Sequence, residues 1–130
     1  MSHHREAITA LGAPAAVGPY SHAVRAGGLL FCSGQIPLDP DTGELADESP
    51  GGQTRRCLEN LAIVCAAAGT ELAEAVRLTV YVSDMEAFAE VNRAYETFFG
   101  GDPPARVTVG VASLPRGAQV EIDAIVALAG

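Results

Sequence analysis

Lysine and tryptophan are absent, and all eight cations are arginines: Arg5, Arg25, Arg55, Arg56, Arg77, Arg93, Arg106 and Arg116. Without lysine there is no Schiff-base amine and no covalently held pyridoxal phosphate. A Walker-type phosphate loop likewise lacks its essential side chain. Positive charge is scarce, since 16 acids against 8 arginines leave a net charge of −8. Nucleic-acid binding rests on cationic neutralisation of phosphates, so a nucleic-acid partner is disfavoured. No apolar run is long enough to span a bilayer, and no basic, apolar leader is visible. The three cysteines, Cys32, Cys57 and Cys65, form an odd set without C-x-x-C spacing. On a shared helix Cys57 and Cys65 would stand roughly 12 Å apart along the axis, too far to bridge. A soluble cytoplasmic protein with reduced thiols is expected.

What is present is globular in kind. Hydrophobic residues make up 48% and charged residues 18% of 130, which suits one domain over residues 1–130 with a real core. Residues 5–11 read as a short first strand, followed by a Gly/Pro/Ala loop reaching Pro19. Two extended runs, residues 20–26 and 29–35, flank the hairpin turn Gly27-Gly28. Residues 37–52, rich in proline and acids, read as an exposed loop. Leu58, Leu61, Cys65 and Ala68 share a helix face that Gly69 stops, and Phe88, Val91, Tyr95 and Phe98 repeat the spacing. Ser83 with Glu86 predicts a capping box for this second helix, and Gly100-Gly101 its end.

Three period-two runs complete the chain: Val76 to Val82, Val107 to Val111, and Val120 to Leu128. Strands, helix, strand, helix and strands in that order predict an α+β fold with two helices on one sheet face. The valine positions are expected to face the helices. The other face carries Thr79, Tyr81, Thr108, Ala112, Ile125 and Ala127 beside isolated charges. It is either solvated or buried against another subunit.

Few residues stand out as chemistry. His3 and His4 lie near the start and His22 stands alone, none with ligand-spaced partners, so no metal site is expected. The acidic loop Asp39-Pro40-Asp41-Thr42-Gly43-Glu44 departs from a calcium loop, its glycine coming one place early, and reads as a solvated turn. There is no G-x-S-x-G, and Cys32 and Cys65 read as buried small hydrophobes. Arg106 and Glu121 are different. Both sit on the non-valine side of their strands, which the short Leu114-Pro115-Arg116-Gly117 turn joins, so antiparallel pairing would set them on one face. An arginine fork suits a carboxylate and a glutamate suits proton transfer. On spacing alone an ordinary cross-strand ion pair is the simpler reading.

Several segments, taken in order, resemble the Rid family (reactive intermediate deaminases, also called YjgF or L-PSP). They are Gly18-Pro19-Tyr20-Ser21, Ser33-Gly34-Gln35-Ile36-Pro37 through Thr42-Gly43, Asn60-Leu61, and Val80-Tyr81-Val82 with Asp84. Phe88-Ala89-Glu90-Val91-Asn92 before Tyr95, Pro104-Ala105-Arg106, Leu114-Pro115-Arg116-Gly117 and Val120-Glu121-Ile122-Asp123-Ala124 complete the series. The resemblance is collinear from about residue 10 to the C-terminus.

It implies a chorismate-mutase-like α+β subunit, a mixed six-stranded sheet with two helices on one face. It also implies a homotrimer with sites between subunits. The implied activity is hydrolysis of 2-imino and 2-enamino acids, of the 2-aminoacrylate/2-iminopropanoate type, to a 2-keto acid and ammonia, with no cofactor or metal. By resemblance Arg106 clamps the substrate carboxylate and Glu121 orients or activates water, while Tyr20, Ser33, Gly34 and Asn92 line the site. Thr108 stands where deaminase members commonly carry cysteine, which puts substrate preference in question more than reaction type. Two other functions remain open. A regulatory trimer that binds small carboxylates without turnover is one, and an endoribonuclease, opposed by the acidic charge, is the other.

Overall fold

The computed structural model describes residues 5–129, so His3 and His4 lie outside the described residues. The described elements are β1 (Glu6–Ile8), β2 (Ala23–Ala26), β3 (Leu29–Gln35), α1 (Pro50–Ala67), β4 (Ala75–Val82), α2 (Phe88–Glu96), β5 (Ala105–Gly110) and β6 (Val120–Ala127). The strands form one six-stranded sheet in the order β1-β2-β3-β6-β4-β5. All neighbours are antiparallel except β4 and β5, which run parallel. The sheet is therefore mixed, as expected.

The amphipathic spacing places α1 across the sheet. Leu58, Leu61, Val64 and Cys65 are fully buried against Leu30, Leu78, Val80, Val120, Ile122 and Val126. Burying each such leucine contributes about 1.5–3 kcal/mol. The helix starts earlier than expected. Pro50, Gly51 and Gly52 belong to its first turn rather than to the exposed loop, and both glycines are buried. Ser49 caps this end by accepting from the Gly52 N–H at 3.0 Å. Glu90 of α2 accepts from the Gly51 N–H at 2.9 Å, a carboxylate at the positive end of the helix dipole. The preceding loop is also partly interior: Leu38 is buried and bridges Leu45.

Other boundaries differ for local reasons. Only Glu6–Ile8 of residues 5–11 pair with β2. The 3₁₀ turn that leads into the second helix is capped by Asp84, whose side chain accepts from the Glu86 N–H at 2.9 Å, while α2 itself has no side-chain cap. Ser83 instead gives its N–H to the Gln119 carbonyl, so the expected capping box does not form. After a 3₁₀ turn over Met85–Ala87, α2 runs to Glu96 and stops short of Gly100. Val76 is exposed because the β4–β6 register shifts between Ala75 and Arg77.

The expectation for β5 is reversed. Leu78 lies opposite Arg106 and Val80 opposite Thr108, and residues directly paired in a ladder share a face. Leu78 and Val80 are buried under the helices, so Arg106 and Thr108 point to the helix side. Val107 and Val109 point outward and are exposed. Nor do β5 and β6 form a hairpin. Residues 111–119 carry the chain past β4, and β6 enters between β3 and β4. Glu121 lies opposite Tyr81, on the outer face. Arg106 and Glu121 thus stand on opposite faces of the sheet rather than side by side.

Candidate active site

The predicted site residues fall into two groups. Tyr20, Ser33, Gly34 and Glu121 meet in a cleft of about 340 Å³, together with Val17, Ile36 and Pro115. A break in the β3–β6 register builds its floor. Cys32 pairs with Ala124 and Gln35 with Ile122, so Ser33 and Gly34 form a bulge. Bulges re-aim side chains beside sites. Ser33 Oγ donates to the Ser21 carbonyl at 2.6 Å, and its N–H donates to the His22 carbonyl at 3.0 Å. Glycine at position 34 leaves room for the Glu121 carboxylate, which a Cβ there would displace.

The wall opposite Glu121 is the turn carrying Tyr20. The Tyr20 hydroxyl accepts from the Val17 N–H at 3.2 Å, and the Tyr20 N–H donates to the Gly18 carbonyl. Gly18 has φ +144°, and a Cβ there would press on the tyrosine ring at 3.3 Å. Across the cleft, Pro115 lies in the turn that Arg116 ties to the Gly43 carbonyl at 3.2 Å. Burial pushes the Glu121 carboxyl above the ordinary glutamate range, and the nearby Asp123 charge adds to the rise. Asp123 is itself held by the Tyr81 hydroxyl at 2.9 Å. Glu121 can therefore keep and return a proton nearer neutrality than a free glutamate.

Arg106, Asn92 and Thr108 form the second group, outside that cleft. The Arg106 guanidinium lies 4.7 Å from the Tyr95 ring centre and 5.8 Å from that of Phe88. At these distances the rings attract the cation, and the guanidinium offers a planar fork that suits a planar anion. Among the described residues no carboxylate comes within ion-pair distance of it. The Asn92 Oδ1, Tyr95 hydroxyl and Thr108 Oγ1 are buried without a hydrogen-bond partner. Such orphans are rare in finished interiors and fit a surface awaiting a polar ligand. Burial also raises the Tyr95 phenol, partly offset by Arg106.

Helical spacing puts Phe88 and Tyr95 on one face of α2, and no spacing gives Val17, Ile36 or Pro115 a place in a site. Alternation singles out Arg106, Thr108 and Glu121 but assembles neither group, because both depend on loops and on a ladder register. The cysteines behave as expected and are buried. The Cys32 thiol is pushed up chiefly by donating to Cys65, and Cys57 is pushed up by burial. The Asp39–Glu44 turn is closed by its own first carboxylate, which accepts from the N–H groups of Asp41 and Thr42.

A family model described as "Endoribonuclease L-PSP" matches residues 10–128. The chain belongs to the Rid (YjgF/L-PSP) family. This Rid chain is 44% identical over 124 residues to the 2-iminobutanoate/2-iminopropanoate deaminase of Mus musculus, covering 93% of this chain and 90% of that protein. To the RutC family protein y4sK of Sinorhizobium fredii it is 47% identical over 123 residues, covering 95% and 98%. Among solved structures, E. coli TdcF with bound serine matches the Rid chain at TM-score 0.89 and 36% identity, over 95% of this chain and 99% of that one. No helix of the described Rid chain is long and apolar enough to cross a membrane.

Proposed function

We propose that this Rid chain hydrolyses reactive 2-imino and 2-enamino acids to 2-keto acids and ammonia, as a homotrimer whose sites form where two copies meet. The observation that carries this is the division of the site. A substrate touching both Arg106 and Glu121 needs the Tyr20–Ser33–Gly34–Glu121 cleft of one copy against the Arg106–Asn92–Thr108 group of the next. The mouse relative named a 2-iminobutanoate/2-iminopropanoate deaminase supports the reaction class.

The residues suit the chemistry without a cofactor. Arg106 holds the substrate carboxylate through its planar fork, which fixes the adjacent imine carbon beside Glu121. A protonated imine is already electrophilic. Glu121 takes a proton from water as the new C–O bond forms, giving a carbinolamine. It then returns that proton to nitrogen; as the C–N bond breaks and ammonia leaves, the hydroxyl proton passes to the Glu121 carboxylate and the carbonyl of the keto acid forms. The raised Glu121 carboxyl serves these transfers. Val17, Ile36 and Pro115 offer room for a short apolar side chain. Three buried thiols with none in a disulfide fit work in a reducing cytosol.

The test couples this protein to a separate lyase that makes 2-aminoacrylate from serine and follows pyruvate release. Wild type should accelerate release, and Arg106→Ala and Glu121→Gln should each lose about 100-fold or more. Arg106→Lys should also be strongly impaired, because charge without the fork does not reproduce the clamp. Co-refolding the Arg106→Ala chain with the Glu121→Gln chain should regain part of the activity, since some sites then pair two intact halves. Wild type without acceleration would discard 2-aminoacrylate and leave a deaminase of another imino acid or a small-carboxylate-binding trimer, which a screen of other imino acids separates. Endoribonuclease activity, suggested by the family model's description, is opposed by the net charge of −8.

A further inference from the structure

We infer that His22 is a positioning residue that latches the loop bearing Tyr20 and Val17 into the shape of the cleft wall. The loop between β1 and β2 spans residues 9–22 and has few apolar anchors. Ala10, Ala13 and Pro14 are buried, but Leu11 is 94% exposed, Val17 57% and Tyr20 45%. A chain this exposed needs polar ties to hold one conformation. The imidazole of His22, itself buried, provides two of them.

Its Nδ1 accepts from the Ala10 N–H at 3.0 Å, and its Nε2 stands 2.8 Å from the Pro14 carbonyl oxygen. A backbone N–H only donates and a carbonyl only accepts, so one tautomer satisfies both: neutral, with the proton on Nε2. The ring thereby gathers two separated points of the loop, twelve and eight residues back along the chain. The backbone of the same residue meets the site, since the His22 carbonyl accepts the Ser33 N–H. One residue thus joins the loop's base, its middle and the bulge beneath the cleft. Tyr20 and Val17 stand in the span between, closed on each other by the hydroxyl contact already described. Without the ring the wall keeps its contacts to Ser33 but loses those that set its distance from Glu121.

The turnover half of this inference rests on the deaminase reading; the loop half does not. Three variants separate the two ties. His22→Asn can keep an acceptor for Ala10, His22→Gln can keep a donor for Pro14, and His22→Leu keeps neither. Amide hydrogen exchange should rise about tenfold or more over residues 10–21 in the His22→Leu chain, the scale of one buried hydrogen bond, with α1 and β4 unchanged. Turnover of the imine should fall by a similar factor, mostly through KM, and the His22→Asn and His22→Gln chains should recover part of both. Unchanged exchange over residues 10–21 in the His22→Leu chain would overturn the latch. So would exchange rising equally throughout the sheet, which marks a merely structural role, or loosened exchange with intact turnover. If wild type turns over no imine, the proposed function fails and the exchange pattern alone judges the latch.

Discussion

Glu121 occupies its cleft at a cost to stability that the proposed chemistry explains. A free glutamate titrates at about 4.3, whereas burial and Asp123 make the folded group hold its proton to higher pH. Between those two values the native state binds more protons than the unfolded chain, so stability falls as pH rises through the window. Above it the ionised carboxylate remains a net cost. Glu121→Gln, neutral throughout, should therefore melt higher than wild type at about pH 8 and show no gain at about pH 3. Thermal denaturation across pH checks this, and a Glu121→Gln chain less stable than wild type at alkaline pH would contradict the assigned direction. Gly34 makes the complementary point. Its missing side chain is the space the Glu121 carboxylate fills, so Gly34→Ala should displace that carboxylate. Turnover is expected to drop about tenfold or more while circular dichroism stays native, since a small misplacement at a reacting group is expensive in rate.

Helix α1 joins the two kinds of information the chain carries. Its apolar face was legible, because Leu58, Leu61 and Cys65 repeat at helical spacing and all three are buried. The Gly27-Gly28 hairpin was legible for a similar reason, both glycines having positive φ, +59° and +80°. Its N-terminal support was not, because Glu90 reaches Gly51 from another helix 39 residues away. Glu90→Ala should remove that bond and the favourable dipole contact, lowering stability by about 1–2 kcal/mol in a denaturant titration. A change within error would show that water replaces the carboxylate at no cost. Strand β5 shows the same limit at the site. Alternation separates Arg106 and Thr108 from Val107 and Val109, but it does not say which pair faces inward. Pairing with Leu78 and Val80 decides that, and such a register is invisible in a linear pattern. Hence alternation singles out Arg106 and Glu121, while the single face expected for them is wrong.

At the scale of the whole molecule, the reversed face of β5 becomes informative. Val107 and Val109 join Phe31 on the outer side of the sheet, where 38%, 37% and 43% of their respective surfaces remain open in one copy. Apolar side chains gathered on one sheet face, beside Tyr81 and Thr79, suit an interface better than open water. Burying this face would serve the proposed site as well as stability, because Glu121 projects from it and Arg106 lies on the edge strand β5. Under the proposed function, assembly is then a precondition for turnover. Val109→Asp places a charge in the proposed interface without touching Arg106, Glu121 or the core under α1. It should convert a trimer into smaller species in analytical ultracentrifugation, abolish turnover together with assembly, and leave the monomer's circular dichroism unchanged. A wild-type chain that sediments as a monomer yet hydrolyses the imine would break the link, because no single copy brings Arg106 and Glu121 to one face.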